Sequence, residues 1–262
     1  MPVDLSQFQA VLLDLDGTLT QEDKPLPGAA NLVRRLLDEG RRITCLSNST
    51  QSPQRISRRL QNSGMNFPPD LLYTASSSAV DFVLESFRPT PRVFNLATEG
   101  VREMLDGKVV WTESEHDPCD AVIIGNPACR YCTIPRMQAA MRLIRAGAAC
   151  IGICADRVYP GVEGLDIGSG ATTQLFAYAA NVQPVFFGKP QKRFFLGLCQ
   201  RLGIPPEQCV LVGDNLESDI GGAKGVGMKT ILCLTGVSRR SDLDSAPPQQ
   251  QPDWVVENLL EL

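Results

Sequence analysis

Asp14 and Asp16 stand two residues apart where the apolar run 10–13 gives way to Gly17. Side chains two apart on an extended segment leave the same face, and Gly17 lets the backbone turn sharply beside them. Two like charges at the mouth of a buried strand are costly unless something positive compensates them, and a divalent metal with oxygen ligands does so economically. Read alone, the stretch also suits a solvated Asp-Gly turn. Other apolar runs end in matching chemistry: Ser47 after 43–46, Lys189 after 185–187, and Asp214 after 209–212, with Asp219 five residues beyond it. Ser47 is placed to donate to a phosphoryl oxygen beside the acids, whereas Ser49, Thr50 and Ser52 suit capping of a helix that opens near Pro53. Lys189, held between Gly188 and Pro190, is well placed for an anionic pocket. Asp219 either turns back toward Asp214 or compensates a helix dipole. His116 is the only histidine and reads as a solvated loop residue in the acidic stretch 113–117. A two-histidine metal site within one chain is therefore excluded, and any Ser-His-Asp scheme would rest on this residue.

The elements that must carry these residues alternate. Strands are predicted at 10–13, 43–46 and 71–74, and helices at 28–40, 53–63 and 76–87, the first with Leu32, Val33, Leu36 and Leu37 at helical spacing. Prolines 89 and 91 mark a boundary, after which strands are predicted at 93–97, 109–112, 121–125 and 149–154 and helices at 134–145 and 171–180. The glycine-rich stretch 164–170 precedes the last helix. Beyond a second boundary at 181–184 come strands at 184–187, 209–212, 229–235 and 254–256 and a helix at 192–202. The expected architecture is α/β: a doubly wound parallel, Rossmann-like core sheet from residues 1–88 and 184–262, with an inserted α/β cap domain at 89–183. In open sheets of this kind the ligand sits outside the carboxyl ends of the strands, where Asp14, Asp16, Ser47, Lys189 and Asp214 all fall. Together they make a site for Mg2+ and a phosphoryl group.

At 262 residues, 43% hydrophobic and 21% charged, the chain has the composition of an ordinary globular protein with a sizeable core. A net charge of -4 gives no electrostatic footprint for nucleic acid or anionic membrane. No apolar stretch approaches a membrane span, and residues 1–4 show neither a basic region nor a leader-like segment, so a cytoplasmic protein is expected. Nine cysteines, an odd number set largely in apolar runs, fit reduced core thiols. Cys129 and Cys132, followed by Cys150 and Cys154, superficially resemble a zinc site; but 150–154 is a strand pattern, and its cysteines are spaced by three residues rather than two.

The motifs DLDGT at 14–18, the strand-end Ser47, Lys189 and GDNLESD at 213–219 stand in an order that resembles the haloacid dehalogenase superfamily of phosphohydrolases. The insert between the second and third motifs is similar to the C2 cap class. SNST at 47–50, GLDIGSGA at 164–171, GKP at 188–190 and LTGVS at 234–238 are similar to its NagD-like members, class IIA. The run 154–170 also resembles the branch containing phospholysine/phosphohistidine phosphatase. This resemblance implies a phosphatase in which Asp14 is the nucleophile that forms an aspartyl-phosphate, while Asp16 protonates the leaving alkoxide and then activates water. It implies Mg2+ held by Asp14, the Asp16 backbone carbonyl and Asp214, and equatorial oxygens met by Lys189 and Ser47 with help from Asn48 and the Gly17 and Thr18 amides. Asp219 would orient Lys189 or a metal-bound water. An acid at position 16 separates the phosphatases and phosphotransferases from the dehalogenases and P-type ATPases of the superfamily. Ser49 departs from the second Asn that many NagD-like members carry. The implied substrate is a small phosphorylated metabolite, such as a nucleoside monophosphate, phosphoglycolate or pyridoxal phosphate, with Tyr131, Asp156, Arg157 and Tyr159 as the cap candidates for reading it. Arg157 meets a second anionic group on this reading, or is a surface residue beside Asp156. A homodimer through the cap follows by analogy. The rival readings are a receiver-like phospho-Asp signalling module, which is much shorter and lacks a cap, and a catalytically inactive binding or scaffold protein.

Overall fold

The first strand, β1 (Ala10–Asp14), is buried from end to end in the computed structural model of the protein, which describes residues 3–21, 24–161 and 163–262. Its alternate side chains serve two layers, Val11 and Leu13 in one apolar cluster and Ala10 and Leu12 in another, as a parallel strand covered on both faces requires. A short antiparallel ribbon follows, β2 (Thr20–Gln21) and β3 (Lys24–Pro25). Helix α1 (Ala29–Asp38) lays Leu32, Val33 and Leu36 on the Val11 and Leu13 face; after β4 (Arg42–Ser47), α2 (Pro53–Asn62) adds Ile56 and Leu60. β5 (Leu72–Thr74) then forms an edge of this sheet.

The next elements are α3 (Ala75–Ser86), β6 (Arg92–Leu96), α4 (Glu99–Leu105), β7 (Val110–Trp111), β8 (Ala121–Ile124), α5 (Ile134–Arg145) and β9 (Ala149–Gly152). They are followed by the hairpin of β10 (Val158–Gly161) and β11 (Gly164–Ile167), by α6 (Ser169–Ala180) and by β12 (Val185–Phe186). Five of these strands make a second parallel sheet in the order β12-β9-β8-β6-β7. Val93 and Ile123 face α3 and α4 through Val80, Val83, Val101 and Leu105, while Phe94, Val122 and Ile124 face α5 and α6 through Leu143, Ile144 and Phe176. The chain returns to the first sheet with α7 (Lys192–Leu202), β13 (Cys209–Gly213), a π-helical turn at Leu216–Gly221, α8 (Gly222–Lys224), β14 (Lys229–Cys233) and β15 (Trp254–Val256).

The first sheet has the order β15-β14-β13-β1-β4-β5, so β1 sits where the chain order reverses, with β4 on one side and β13 on the other. Parallel register sets Asp14 opposite Leu46 and Leu13 opposite Val212. The carboxyl ends of β1, β4 and β13 therefore lie side by side at a topological switch point, where such sheets hold their ligands. Two compact units result: residues up to Ser47 with Pro53–Tyr73 and Lys189–Leu262, and Asn48–Ser52 with Thr74–Gly188. Helix α3 falls in the second unit because Ala75, Ala79, Val80 and Val83 pack in its core; the proline-bearing stretch 88–91 lies between α3 and β6.

Local differences from the sequence reading have clear causes. The glycine-rich stretch 164–170, to which the sequence reading assigned no element, opens with β11 of a two-stranded ribbon in which Leu165 and Ile167 are exposed, so it lacks the alternation that marks a half-buried strand. Helix α6 begins at Ser169, two residues earlier than expected, and the Ser169 hydroxyl donates to the Cys154 carbonyl at 3.1 Å. No described helix is long and apolar enough to cross a membrane. Met1 and Pro2 of the opening segment and Val162 of the cap run lie outside the described residues.

Candidate active site

At the end of β1 the Asp14 carboxylate is buried and accepts a hydrogen bond from Lys189 Nζ. Lys189, just before α7, is also buried, and its Nζ is 2.7 Å from Asp219 Oδ1. Asp219 is positioned by the π-helical turn: Asn215 caps that turn with its side chain, and its own backbone N–H donates to Asp219 Oδ2 at 3.1 Å. Asp214 follows β13, and its Oδ2 accepts from the Val237 N–H at 2.6 Å. Each of the three acids brings a carboxylate oxygen to within 4.8 Å of the others.

Three carboxylates against one ammonium leave two negative charges uncompensated when every acid is ionised. Burial pushes Asp14 up to about 7, against the pull of Lys189, with Asp214 and Asp16 adding to the rise. Burial likewise pushes Asp219 up to about 6 and raises Asp214, to which the Asp219 charge adds. For Lys189 burial acts to discharge the ammonium, but the Asp14 and Asp219 carboxylates reverse that and hold it well above the ordinary lysine range. An all-oxygen donor set with this surplus fits a hard divalent cation.

The loop after β14 packs against these acids. Gly17 has φ +92°, and a Cβ there would lie 2.6 Å from Asp214 Oδ2; at Gly236 it would lie 2.0 Å from the same oxygen. Thr235 Oγ1 donates to the Gly17 carbonyl at 2.6 Å, the Ser238 N–H donates to the Asp214 carbonyl at 3.1 Å, and Ser238 Oγ accepts from the Leu216 N–H at 2.9 Å. Sequence reasoning met Thr235, Gly236, Val237 and Ser238 only as part of the LTGVS resemblance and gave them no role. The usable signal was a Thr-Gly pair just beyond a buried strand that neighbours β13.

Asp16 differs from its expectation. Strand β1 ends at Asp14, the Leu19 and Thr20 N–H groups both donate to the Leu15 carbonyl, and Asp16 is exposed. Its carboxylate, expected on the Asp14 face, lies outside the buried cluster and meets Arg59 at 3.5 Å, because the chain has already left extended geometry. Thr18 is fully buried, and its Oγ1 has no hydrogen-bond partner among the described residues. Ser47 is buried at the end of β4, one residue past the partner of Asp14. Asn48 lies in the second unit, where its side-chain amide is 3.3 Å from both Asp156 carboxylate oxygens. Among the other cap candidates, Tyr131 Oη donates to Glu99 Oε2 at 2.8 Å, Tyr159 is half-buried opposite Asp166 in the hairpin, and Arg157 is exposed.

The haloacid dehalogenase-like hydrolase family profile matches residues 11–108, and a HAD-hydrolase-like profile matches residues 186–262. Over 243 residues the chain is 34% identical to haloacid dehalogenase-like hydrolase domain-containing protein 2 of Bos taurus, covering 92% of this chain and 90% of that protein. The chain belongs to the haloacid dehalogenase-like hydrolases. Among solved structures, this hydrolase superposes on a 4-nitrophenylphosphatase of Thermotoga maritima with a TM-score of 0.87 and 28% identity, over 98% of this chain and 97% of that one. A glycerol phosphate phosphatase of Mycobacterium tuberculosis in complex with magnesium gives a TM-score of 0.89 and 25% identity, over 100% of this chain and 79% of that one. The hydrolase thus stands with the phosphatases of its family, in the NagD-like class. Family membership sets aside the receiver-like reading.

Proposed function

We propose that this hydrolase is a Mg2+-dependent phosphatase that cleaves small phosphomonoesters through an aspartyl-phosphate on Asp14. Its main support is the surplus of negative charge at one buried point, where Asp14, Asp214 and Asp219 share a single lysine. Asp14, the Asp16 backbone carbonyl and Asp214 are the residues that would hold Mg2+, which when bound neutralises that surplus and draws charge from the phosphoryl oxygens. Asp14 attacks phosphorus directly; beside a bound cation its carboxylate would be held ionised against the rise that burial imposes and would need no base to activate it. Asp16 protonates the leaving alkoxide and then takes the proton of the attacking water, a task that suits a side chain 63% exposed rather than one locked in the cluster. Lys189 and Ser47 stabilise the equatorial oxygens, assisted by Asn48 and the Gly17 and Thr18 amides. Asp219 holds the Lys189 ammonium in position.

Substrate reading belongs to the cap candidates Tyr131, Asp156, Arg157 and Tyr159, of which Asp156 is already engaged with Asn48. The substrate class is a small phosphomonoester, with nucleoside monophosphates, phosphoglycolate and pyridoxal phosphate as the first candidates and glycerol phosphate added from the Mycobacterium likeness. A homodimer through the cap fits the apolar side chains exposed on β11 and α6, Leu165, Ile167, Leu175 and Tyr178. Nine free cysteines fit the reducing cytoplasm. The test is phosphate release from that panel by the wild type and Asp14→Asn, with Mg2+ and with chelator. Metal-dependent release that vanishes in the variant supports the proposal. No release from any compound by folded, Mg2+-loaded protein refutes it.

A further inference from the structure

In the second unit, Cys129 and Cys132 form the C-x-x-C pair of the chain. The Cys132 N–H donates to the Cys129 carbonyl at 3.1 Å, closing a β-turn. A turn closed in this way keeps its end Cα atoms within about 7 Å, which is the span a disulfide bridges. The Cys129 Sγ also meets the Leu96 carbonyl, to which it donates at 3.6 Å. Both thiols are half-buried and so within reach of a small reagent, whereas Cys45, Cys150, Cys154, Cys199, Cys209 and Cys233 are buried. The intervening residues are braced, Tyr131 Oη by Glu99 at 2.8 Å and the Arg130 guanidinium by the same carboxylate.

The pair is also chemically asymmetric. The Cys132 thiol, together with the backbone N–H groups of Tyr131 and Cys132, holds Cys129 down to about 6, while the same contact pushes Cys132 upward. Cys129 therefore gives up its proton more readily than Cys132, which makes it the attacking sulfur of the pair. Among the described residues no third cysteine, histidine or carboxylate joins them in a metal-holding group.

We propose that Cys129 and Cys132 are a redox-active dithiol that closes reversibly to a disulfide by exchange with a low-molecular-weight disulfide. The Cys129 thiolate attacks one sulfur of the reagent, whose S–S bond breaks and releases one thiolate. Cys132 then gives its proton to that thiolate and attacks the Cys129 sulfur of the mixed disulfide, releasing the second thiolate, which takes a proton from water. The cysteine pair is oxidised by two electrons, and one reagent disulfide is reduced to two thiols.

Trypsin cuts after Arg130, between the two cysteines, so the bond is directly visible by mass spectrometry. Folded protein treated with oxidised glutathione and quenched by alkylation is expected to yield residues 109–130 linked to 131–136, and reduction separates them. The link disappears in Cys129→Ser and in Cys132→Ser, and it survives in Cys119→Ser, which removes the other cysteine of the first peptide. The alkylation rate of Cys129 inflects near pH 6 and moves upward in Cys132→Ser. Far-UV circular dichroism establishes that each variant is folded. A stable glutathione adduct on Cys129 without the link, or a link that survives Cys129→Ser, overturns the proposal.

Discussion

Replacing Lys189 by methionine removes the ammonium from the point where three carboxylates converge. The lysine is 5% exposed, and a flexible methionine fills much the same space, so the change is mainly one of charge. Removing one partner of a buried ion pair costs about 3–5 kcal/mol, which at this chain length lowers the melting temperature by roughly 6–10 °C. Its pH dependence has a definite sign. Burial already raises Asp14 to about 7 and Asp219 to about 6 from 3.8, so the folded protein keeps protons that the unfolded chain releases. In metal-free protein this linkage removes stability as the pH climbs from the ordinary aspartate range toward 7. Without the opposing ammonium both carboxylates rise further, so the variant's deficit is small in mild acid and largest above neutrality. Calorimetric melting in chelator, at about pH 5 and about pH 8, measures it, and Mg2+ should restore part of the loss at the higher pH. An equal loss at both pH values, or none, would refute charge compensation as the basis of the cluster.

Asp16→Asn should lower kcat by about 10²–10⁴, most for the poorest leaving groups, while calorimetric titration finds Mg2+ affinity nearly intact because the proposed ligand is the backbone carbonyl. Gly236→Ala would place a methyl 2.0 Å from Asp214 Oδ2; a loss of roughly ten- to a hundredfold in metal affinity is expected from displacing a supporting contact, and unchanged affinity would remove the 234–238 loop from the account. Asp253 accepts from Lys229 Nζ at 2.8 Å and from the Thr230 N–H and hydroxyl at 3.0 Å. Burial raises its carboxyl, but these bonds outweigh that and hold it below the usual range. An acid of this kind contributes stability above its unfolded pKa and loses it as the pH falls through its folded one. Asp253→Asn should therefore cost about 1–2 kcal/mol in urea unfolding at neutral pH, and the difference should vanish in strong acid.

The parts of this fold that read well in the sequence are those where one physical constraint dominates. β1, β4 and β13 are covered on both faces, so they appear as unbroken apolar runs, and the residues that end them, Asp14, Ser47 and Asp214, stand out against the core. Lys189 does not end a strand of the first sheet: the short apolar run before it is β12, a half-buried edge of the second sheet, and what singled the lysine out was its place between Gly188 and Pro190. Only the face of Asp16 differs from the sequence reading, because a spacing of two gives a common face only while the chain stays extended, and the turn begins at Leu15. The β10–β11 hairpin escaped because its apolar residues are exposed and follow no burial period. The placement of α3 with the second unit depends on contacts of Val80 and Val83 with residues far along the chain, which no local boundary signal reports. The same holds for the approach of Gly17 and Gly236 to Asp214, and for the pairing of Asn48 with Asp156.

The most direct measurement is intact and peptide mass spectrometry of the Asp16→Asn variant, acid-quenched during reaction with 4-nitrophenyl phosphate in Mg2+. This variant keeps the proposed nucleophile but lacks the group that activates water, so the added mass of one phosphoryl group is expected on the peptide carrying Asp14, absent when Asp14 is also replaced by Asn. Nitrophenol release with no adduct at any time, or an adduct that persists without Asp14, would contradict it.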